Sequence, residues 1–203
     1  MNNGAAKPSA AVIRTRHFHA THWELVMANA ARTIEDRLRA IEDRLEIYNL
    51  IASHPPSADT GADYYTRVAY VDDGELDLGR GPAISGNEAI AAITKTAAHQ
   101  AAIAGGLAHF AGLPRIELDG DSATVTSYLQ ILTPHPTDAP HEVPNHGTST
   151  GFRIHRVAAN RWELERTDEG WKIRRRTVRT IDGTEPPREI LREALKSYQM
   201  DHE

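Results

Sequence analysis

The second half of the chain is a succession of strand-forming segments separated by short glycine turns, and this pattern limits the fold more than any other feature. Asp119-Gly120 and Asp168-Glu169-Gly170 both lie between segments rich in Val, Ile, Thr, Leu and Trp. Glycine at such a position supplies the positive φ of a tight hairpin. We therefore predict consecutive antiparallel strands at about 107–118, 122–133, 151–166 and 171–181.

The first half is predicted to be mainly helical. The sequence Ile-Glu-Asp-Arg-Leu occurs twice, at 34–38 and at 41–45, and it places apolar residues along one side of an amphipathic helix. This apolar stripe consists of Ile34, Leu38, Ile41, Leu45 and Tyr48. Pro55 disfavours helical geometry at His54, so the helix is expected to end near Ser53. Core packing or a dimer contact explains the stripe better than a coiled coil, because only about two heptads precede the prolines.

Smaller elements are expected between this helix and the sheet. They are a turn at 57–61, a short helix at 62–70, a turn and a short strand at 72–78, and a third helix at 87–100. Ser85 and Glu88 have the spacing of a capping box, which would start the third helix.

Helices that precede a hairpin-connected sheet indicate an α+β fold with the helices on one face of an antiparallel sheet. A chain of 203 residues suits one domain with extensions. We divide it into a partly disordered N-terminal extension (1–33), the main domain (34–185) and a C-terminal helix (186–203). The segment 134–150, rich in proline and histidine, is expected to be a mobile loop that covers a pocket.

Composition excludes several classes of function. The formal net charge is −5 with basic and acidic residues interleaved, so no basic stripe for nucleic acid is present. The chain has no cysteine, which excludes thiolate nucleophiles and cysteine-ligated metals. No apolar run reaches the roughly 18 residues of a membrane span, and no phosphate-binding or dinucleotide glycine motif occurs. We expect a cytoplasmic protein without a cofactor and without nucleic-acid or membrane partners.

Two groups of histidines and one run of arginines have ordinary explanations. Neither histidine group has a fixed secondary-structure spacing, so no metal site is expected. The first group lies in the 134–150 loop and the second in the extension; they are His135, His141 and His146, and His17, His19 and His22. The three arginines at 174–176 lie on a predicted strand whose alternate residues face opposite ways, so we expect a solvated edge there rather than an anion site.

The order of these motifs resembles the SnoaL-like branch of the nuclear transport factor 2-like superfamily over roughly residues 34–183. The motifs are the helix that ends near Ser53, the turn at Asp59, Gly86-Asn-Glu-Ala-Ile90, His109 ahead of Ile116-Glu-Leu-Asp-Gly-Asp121, and Arg161-Trp162-Glu-Leu followed by Gly170-Trp171-Lys-Ile. The resemblance implies a cystatin-like α+β barrel, in which N-terminal helices wrap a curved antiparallel sheet into a cone with a mostly apolar internal pocket. It also implies a homodimer.

The resemblance does not imply one activity. The superfamily includes polyketide cyclases, scytalone-type dehydratases, dehydrochlorinases, ketosteroid isomerases, the small subunits of ring-hydroxylating dioxygenases, and members without catalysis. The function therefore has to be inferred from the residues of the site.

His109 and Asp59 are the candidate catalytic residues. The resemblance implies that His109 matches the histidine that dehydratase and dehydrochlorinase relatives use as a base. It also implies that Asp59 lies near the aspartate that orients this base, although residues 54–58 are inserted before it. Ala108 and Phe110 give His109 apolar surroundings, which favour the neutral imidazole that a general base needs. The alternatives are a histidine that a backbone carbonyl satisfies and an aspartate that caps a helix.

Five further residues are candidates for substrate binding. They are Tyr48, Tyr65, Tyr128, His155 and Trp162. A tyrosine phenol can polarise a substrate carbonyl, as in related dehydratases and isomerases, and strand alternation places either His155 or Trp162 in the pocket. Core or cross-strand packing is the alternative for each of them.

The leading hypothesis is a small-molecule enzyme, a cofactor-independent dehydratase, isomerase or cyclase. It would use a His-Asp general base on an apolar carbonyl or hydroxylated substrate of aromatic or polyketide-like type. One alternative is a non-catalytic protein that binds an apolar ligand in the pocket. The other is an interaction subunit resembling the small subunit of ring-hydroxylating dioxygenases.

Overall fold

A computed structural model describes residues 33–135 and 139–200 of the chain. Almost all of the predicted N-terminal extension, including His17, His19 and His22, lies outside the described residues. Of the predicted C-terminal helix, residues 201–203 also lie outside them.

Helices occupy most of the first half and the end of the described chain. They are α1 (Ile34–Ala52), α2 (His54–Thr60), α3 (Asp63–Ala69), α4 (Asn87–Ala92), a 3-10 turn (Ile93–Lys95), α5 (Ala97–Ala104), α6 (Glu185–Glu193) and α7 (Lys196–Met200). The strands are β1 (Tyr70–Asp77), β2 (Ile84–Ser85), β3 (Ala108–Ala111), β4 (Arg115–Asp119), β5 (Ser122–Pro134), β6 (His141–Val143), β7 (Gly147–Ser149), β8 (Phe152–Thr167) and β9 (Gly170–Thr180).

The main sheet has the order β2-β1-β9-β8-β5-β3, and β4 also pairs with β5. It is curved and does not close, since β2 lies at one edge and β3 and β4 at the other. The fold is therefore α+β, as predicted. One pair departs from the antiparallel expectation: β1 runs parallel to β9, because the chain enters the sheet from α3 and not through a hairpin.

The two predicted hairpins are present. Asp119 pairs with Ser122 around Gly120, and Thr167 pairs with Gly170. Gly120 has a φ of +59° and Gly170 a φ of +100°, the backbone conformation for which glycine was expected. The strand predicted at 107–118 is divided into β3 and β4, which both pair with β5.

Helix α1 ends at Ala52, as predicted, and it begins with a capping box between Thr33 and Asp36. The apolar stripe faces solvent, with exposures between 43% for Tyr48 and 77% for Ile34, so core packing, one of the two expected explanations, is wrong. The opposite side of α1 packs on the sheet through buried Ile47 and Ile51. On that opposite side, polar contacts with Trp171 hold α1 in this orientation. The Trp171 backbone N–H donates to Glu46 Oε1 at 2.7 Å, and its indole N–H donates to Asp43 Oδ1 at 3.2 Å.

Three smaller predictions are wrong in detail. Residues 54–60 form helix α2 rather than a turn, because Pro55 and Pro56 occupy the first turn, where a missing N–H costs no intrahelical hydrogen bond. The helix predicted at 87–100 is interrupted by Thr96, whose side chain caps α5. Ser85 lies in β2 and makes no capping box. The N-cap of α4 is Gly86, which has no side chain to accept a backbone N–H.

The segment predicted as a loop at 134–150 contains a small hairpin, in which β6 pairs with β7 apart from the main sheet. Residues 136–138 lie outside the described residues. The segment predicted as a turn at 72–74 continues β1, with an irregularity in the pairing between Tyr70 and Glu75.

Candidate active site

A cavity of about 170 Å³ lies between the helices and the inner face of the sheet. Its apolar wall is formed mainly by aliphatic side chains, which are Leu76, Leu78, Ile90, Ile93, Leu129 and Val178. Its polar wall carries three histidines and three arginines, which are His54, His99, His109, Arg80, Arg156 and Arg176. The lining of the cavity therefore combines aliphatic side chains with side chains rich in nitrogen.

Asp59 and His109 form the contact on which the sequence hypothesis depends. Asp59 Oδ1 lies 2.6 Å from His109 Nδ1, and Asp59 Oδ2 accepts the His109 backbone N–H at 2.9 Å. Helix α2, formed by the inserted residues, carries Asp59 to strand β3. A carboxylate at Nδ1 favours the tautomer with the proton on that nitrogen, so Nε2 is left to accept a proton.

The surroundings of His109 keep its imidazole neutral at neutral pH. Burial lowers the pKa of His109, and the hydrogen bond and charge of Asp59 raise it by less, so the pKa lies below its ordinary value of 6.5. The His109 side chain is only 9% exposed. A buried, neutral and oriented imidazole is suited to abstract a proton.

His109 also borders a surface groove of about 280 Å³. Tyr48, Pro55 and Leu113 line the same groove. The imidazole thus lies between the internal cavity and a depression at the surface. A larger hollow of about 400 Å³ lies elsewhere, against Arg161 and α6, and His109 does not border it.

A second buried group, absent from the sequence prediction, adjoins His109. Arg176 Nη1 donates to His54 Nε2 at 2.8 Å, and the Arg176 guanidinium lies 4.1 Å from the centre of the Trp162 ring. The His54 ring meets His109 edge-on, with 6.1 Å between the ring centres. Burial, and next the charge of Arg176, lower the pKa of His54 well below 6.5. His54 is therefore a neutral hydrogen-bond acceptor.

The expectation that residues 174–176 form a solvated edge is wrong for Arg176. In the pairing with β8, Glu163 faces Arg175 and Leu164 faces Ile173, so Arg174 is an extra residue in β9. Such a bulge shifts the in-and-out alternation by one residue, and it turns Arg176 inward, where it is 5% exposed. Arg174 and Arg175 pair with acidic residues on the other face, as expected.

A sequence signal for this bulge exists. Ile173 and Val178 are both buried, although they lie five residues apart. Strict alternation would place residues an odd number apart on opposite faces, so one extra residue has to lie between them. Arg176 then shares the inner face with Val178.

The structure brings together only some of the candidate substrate-binding residues. Tyr48 lies beside His109 in the surface groove. Trp162 is buried beneath Arg176 and donates its indole N–H to Ser127 at 3.2 Å, so it supports the polar wall without lining the cavity. Tyr65 is part of the core, where its hydroxyl donates to the Leu50 carbonyl at 2.5 Å.

Tyr128 and His155 are not placed for substrate binding in the cavity. Tyr128 is 48% exposed and projects from the outer face of β5, opposite to its cavity-lining neighbour Leu129. His155 is the extra residue of a second bulge, in β8, and it is exposed. The geometry of their strands therefore places both residues on the outer side of the sheet. The cavity tyrosine that sequence reasoning missed is Tyr70.

Two negative findings apply to the described part of the chain. No group of three or more histidine or acidic residues at 33–135 or 139–200 is placed to hold a metal ion. No helix in those ranges is long and apolar enough to cross a membrane.

Comparisons with known proteins agree with the fold. A family model described as a SnoaL-like domain matches residues 39–177. The crystal structure of an NTF2-like protein with a cystatin-like fold from Novosphingobium aromaticivorans is 34% identical, with a TM-score of 0.68, and the match covers 79% of this chain and 98% of that one. No curated protein matches the sequence.

Two more distant structures share the fold. One is a hexachlorocyclohexane dehydrochlorinase of LinA-type3 from Novosphingobium barchaimii, with 16% identity, a TM-score of 0.54, and coverage of 71% of this chain and 90% of that one. The other is a protein provisionally described as a scytalone dehydratase from Novosphingobium aromaticivorans, with 17% identity, a TM-score of 0.51, and coverage of 70% and 85%. At these identities the likeness is one of fold.

Proposed function

The chain belongs to the SnoaL-like family, and from this premise we propose that it is a small-molecule lyase or isomerase in which His109 is the general base. The observation that carries the proposal is the double contact between Asp59 and His109. A partly buried carboxylate that holds Nδ1 leaves Nε2 free for a proton, and the cavity beside His109 has aliphatic side chains in its lining. No step of this proposal uses a cofactor.

The proposed reaction starts with proton abstraction next to a carbonyl or next to a leaving group. His109 Nε2 takes the proton, the C–H electron pair enters the carbonyl system as an enolate, and Asp59 stabilises the imidazolium that forms. In a dehydration, the enolate electrons then expel a hydroxyl group, which leaves as water with the proton from His109. In an isomerisation, the same proton returns to another carbon.

Tyr70 is the proposed hydrogen-bond donor to the developing oxyanion, in place of the tyrosines expected from sequence. It lines the cavity, and burial raises the pKa of its hydroxyl, which therefore stays protonated.

We also propose that the protein is a homodimer that pairs through the apolar stripe of α1. The stripe residues repeat at spacings of four and three, so they form one continuous apolar surface along α1. All five members of the stripe are at least 43% exposed, and the sheet is packed against the other side of the helix. A second copy of α1 offers the same surface in return.

The test of the proposed chemistry does not require the natural substrate. A panel of aryl ketones in D₂O is followed by NMR for protein-catalysed exchange of the proton next to the carbonyl. We expect exchange with the wild-type protein and with His146→Gln, an exposed histidine on the β6–β7 hairpin, and at least about 100-fold less with His109→Gln. Ligand binding with no exchange in any variant would favour the non-catalytic pocket protein.

A further inference from the structure

We propose that the cavity binds a carboxylate through Arg176 and Arg156, and that the ligand is therefore a small apolar carboxylic acid. The binding step stands on the charge pattern of the cavity. What happens to the bound acid rests on the proposed function, in which His109 removes a proton from it.

The charged groups that line the cavity are all cations. Arg80, Arg156 and Arg176 line it, and no aspartate or glutamate does. Among the described residues, no carboxylate oxygen lies within 4.0 Å of a guanidinium nitrogen of these three. Asp59, behind the polar wall, is already engaged by His109.

Arg176 differs in this respect from its neighbours on the same strand. Arg174 pairs with Glu165 at 2.9 Å, and Arg179 pairs with Asp77 at 2.8 Å. Arg176 is more deeply buried than either of them, yet its hydrogen-bond partners are neutral: the Asn160 side-chain oxygen, at 2.9 and 3.0 Å, and the His54 ring. Burying a charge without an opposite charge is costly. An anion bound in the cavity would offset that cost.

Arg156 supplies a second, independent indication. It lies on β8 opposite Ile131, and its Nε is buried without a hydrogen-bond partner among the described residues. Buried donors are normally satisfied, and one that is left open beside a cavity indicates a ligand acceptor. Arg156 and Arg176 lie on adjacent strands and both line the cavity, so each offers N–H donors to a carboxylate bound there.

The volume of the cavity and the aliphatic part of its lining restrict the size and polarity of the rest of the ligand. A cavity of about 150 Å³ lined by aliphatic side chains is large enough to hold benzene. The volume here is about 170 Å³, and leucine, isoleucine and valine side chains line it beside the arginines. One aromatic ring or a short branched chain therefore fits next to the carboxylate. His54, between Arg176 and His109, sets the distance from the anion to the base.

Isothermal titration with benzoate and benzamide, which differ in charge and hardly in shape, tests the inference. We expect wild-type protein to bind benzoate at least about tenfold more tightly than benzamide, and Arg156→Gln to lose that preference. Arg153→Gln is the matched control, because Arg153 is an exposed arginine on the same strand. Arg176→Lys and Arg176→Met are titrated in the same way, and thermal melting shows whether these two variants fold. If they do not fold, the Arg156→Gln variant still decides the test.

Each outcome of the titration counts for or against the inference. Equal affinity for benzoate and benzamide, or an unchanged preference in Arg156→Gln, would overturn it. Inorganic phosphate that competes as well as benzoate would also overturn it, because the site would then hold free anions and not an apolar acid. His109→Gln separates the two proposals: if it binds benzoate normally and exchange activity is unchanged, the general-base proposal fails while the acid site stands.

Discussion

Asp59 holds His109 at two atoms, the ring nitrogen Nδ1 and the backbone nitrogen, with one carboxylate oxygen for each. The ring contact fixes the tautomer and the backbone contact fixes the position of strand β3 against helix α2. Both effects depend on one side chain, so substitutions of Asp59 are expected to be more damaging than the loss of one hydrogen bond.

Asp59→Asn is expected to lower the rate of carbonyl-adjacent proton exchange by about 100-fold or more. The amide group can donate to His109 Nδ1, which favours the tautomer with the proton on Nε2 and removes the basic nitrogen. The comparison is with Asp73→Asn, which breaks only an exposed ion pair with Arg174. Equal exchange rates in the two variants would show that Asp59 does not set the tautomer.

The activity is expected to be constant at neutral pH and to fall on acidification, with a midpoint below 6.5. His109 works as a base only when neutral, and burial lowers its pKa. Because Asp59 raises that pKa, Asp59→Asn shifts the midpoint to still lower pH. Rate profiles and NMR titration of the histidine ring protons measure both values. A midpoint at or above 6.5 contradicts the desolvated site.

His54 is expected to make the fold sensitive to acid. Its pKa in the folded protein lies well below the unfolded value of 6.5, so the unfolded chain binds more protons below that pH. Its contribution is constant above pH 6.5, and the free energy of unfolding decreases as the pH falls from there toward the folded pKa. Glutamine keeps an acceptor for Arg176 but cannot be protonated, so His54→Gln should lose less melting temperature between pH 7.5 and 5.5 than wild type. An equal loss would assign the sensitivity to other groups.

Two hairpin glycines are expected to differ in their tolerance of alanine. Gly120→Ala adds a side chain in open space and costs about 1–2 kcal/mol for its positive φ. Gly170→Ala adds the same group against the Glu46 carboxylate, which accepts the Trp171 backbone N–H. Displacing Glu46 adds about 1 kcal/mol or more. Urea denaturation of the two variants gives the difference, and equal values would mean that Glu46 moves without cost.

Leu38→Glu and Leu45→Glu are expected to give a monomer without loss of the fold. Both residues are more than half exposed on the apolar stripe, so a charge there repels a partner helix and leaves the core of the same chain unchanged. Sedimentation velocity measures the mass, and Glu42→Gln, on the same helix outside the stripe, is the control. An unchanged mass for all four proteins would contradict pairing through α1.

The fold was largely predictable because its determinants are local. The glycine turns at Gly120 and Gly170 fix which strands are neighbours, and the prolines after Ser53 end α1. The direction in which α1 faces was not predictable from its apolar stripe. Acidic residues on the opposite side, such as Asp43 and Glu46, bind Trp171 and decide the orientation through partners more than 100 residues away.

The candidate site was predictable in its histidine and its aspartate, since residue type and motif order indicate them. The other polar residues of the cavity were not predictable, because two bulges determine which side chains point inward. His155 and Arg174 are each one extra residue in a strand, and each one reverses the alternation that follows it. A pattern with period two cannot locate such a change unless buried apolar residues on both sides reveal it, as Ile173 and Val178 do.

Three successive arginines on β9 keep a cation among the inward-facing residues whether or not the strand contains its bulge. If the bulge at Arg174 were lost, regular alternation from Ile173 would turn Arg175 inward and Arg176 outward, so a guanidinium would still enter the cavity. Val178 would then leave the aliphatic wall. A strand of the same length without the bulge would thus keep a cation in the cavity and change the lining beside it, so the proposed ligand would still be an acid but of a different shape.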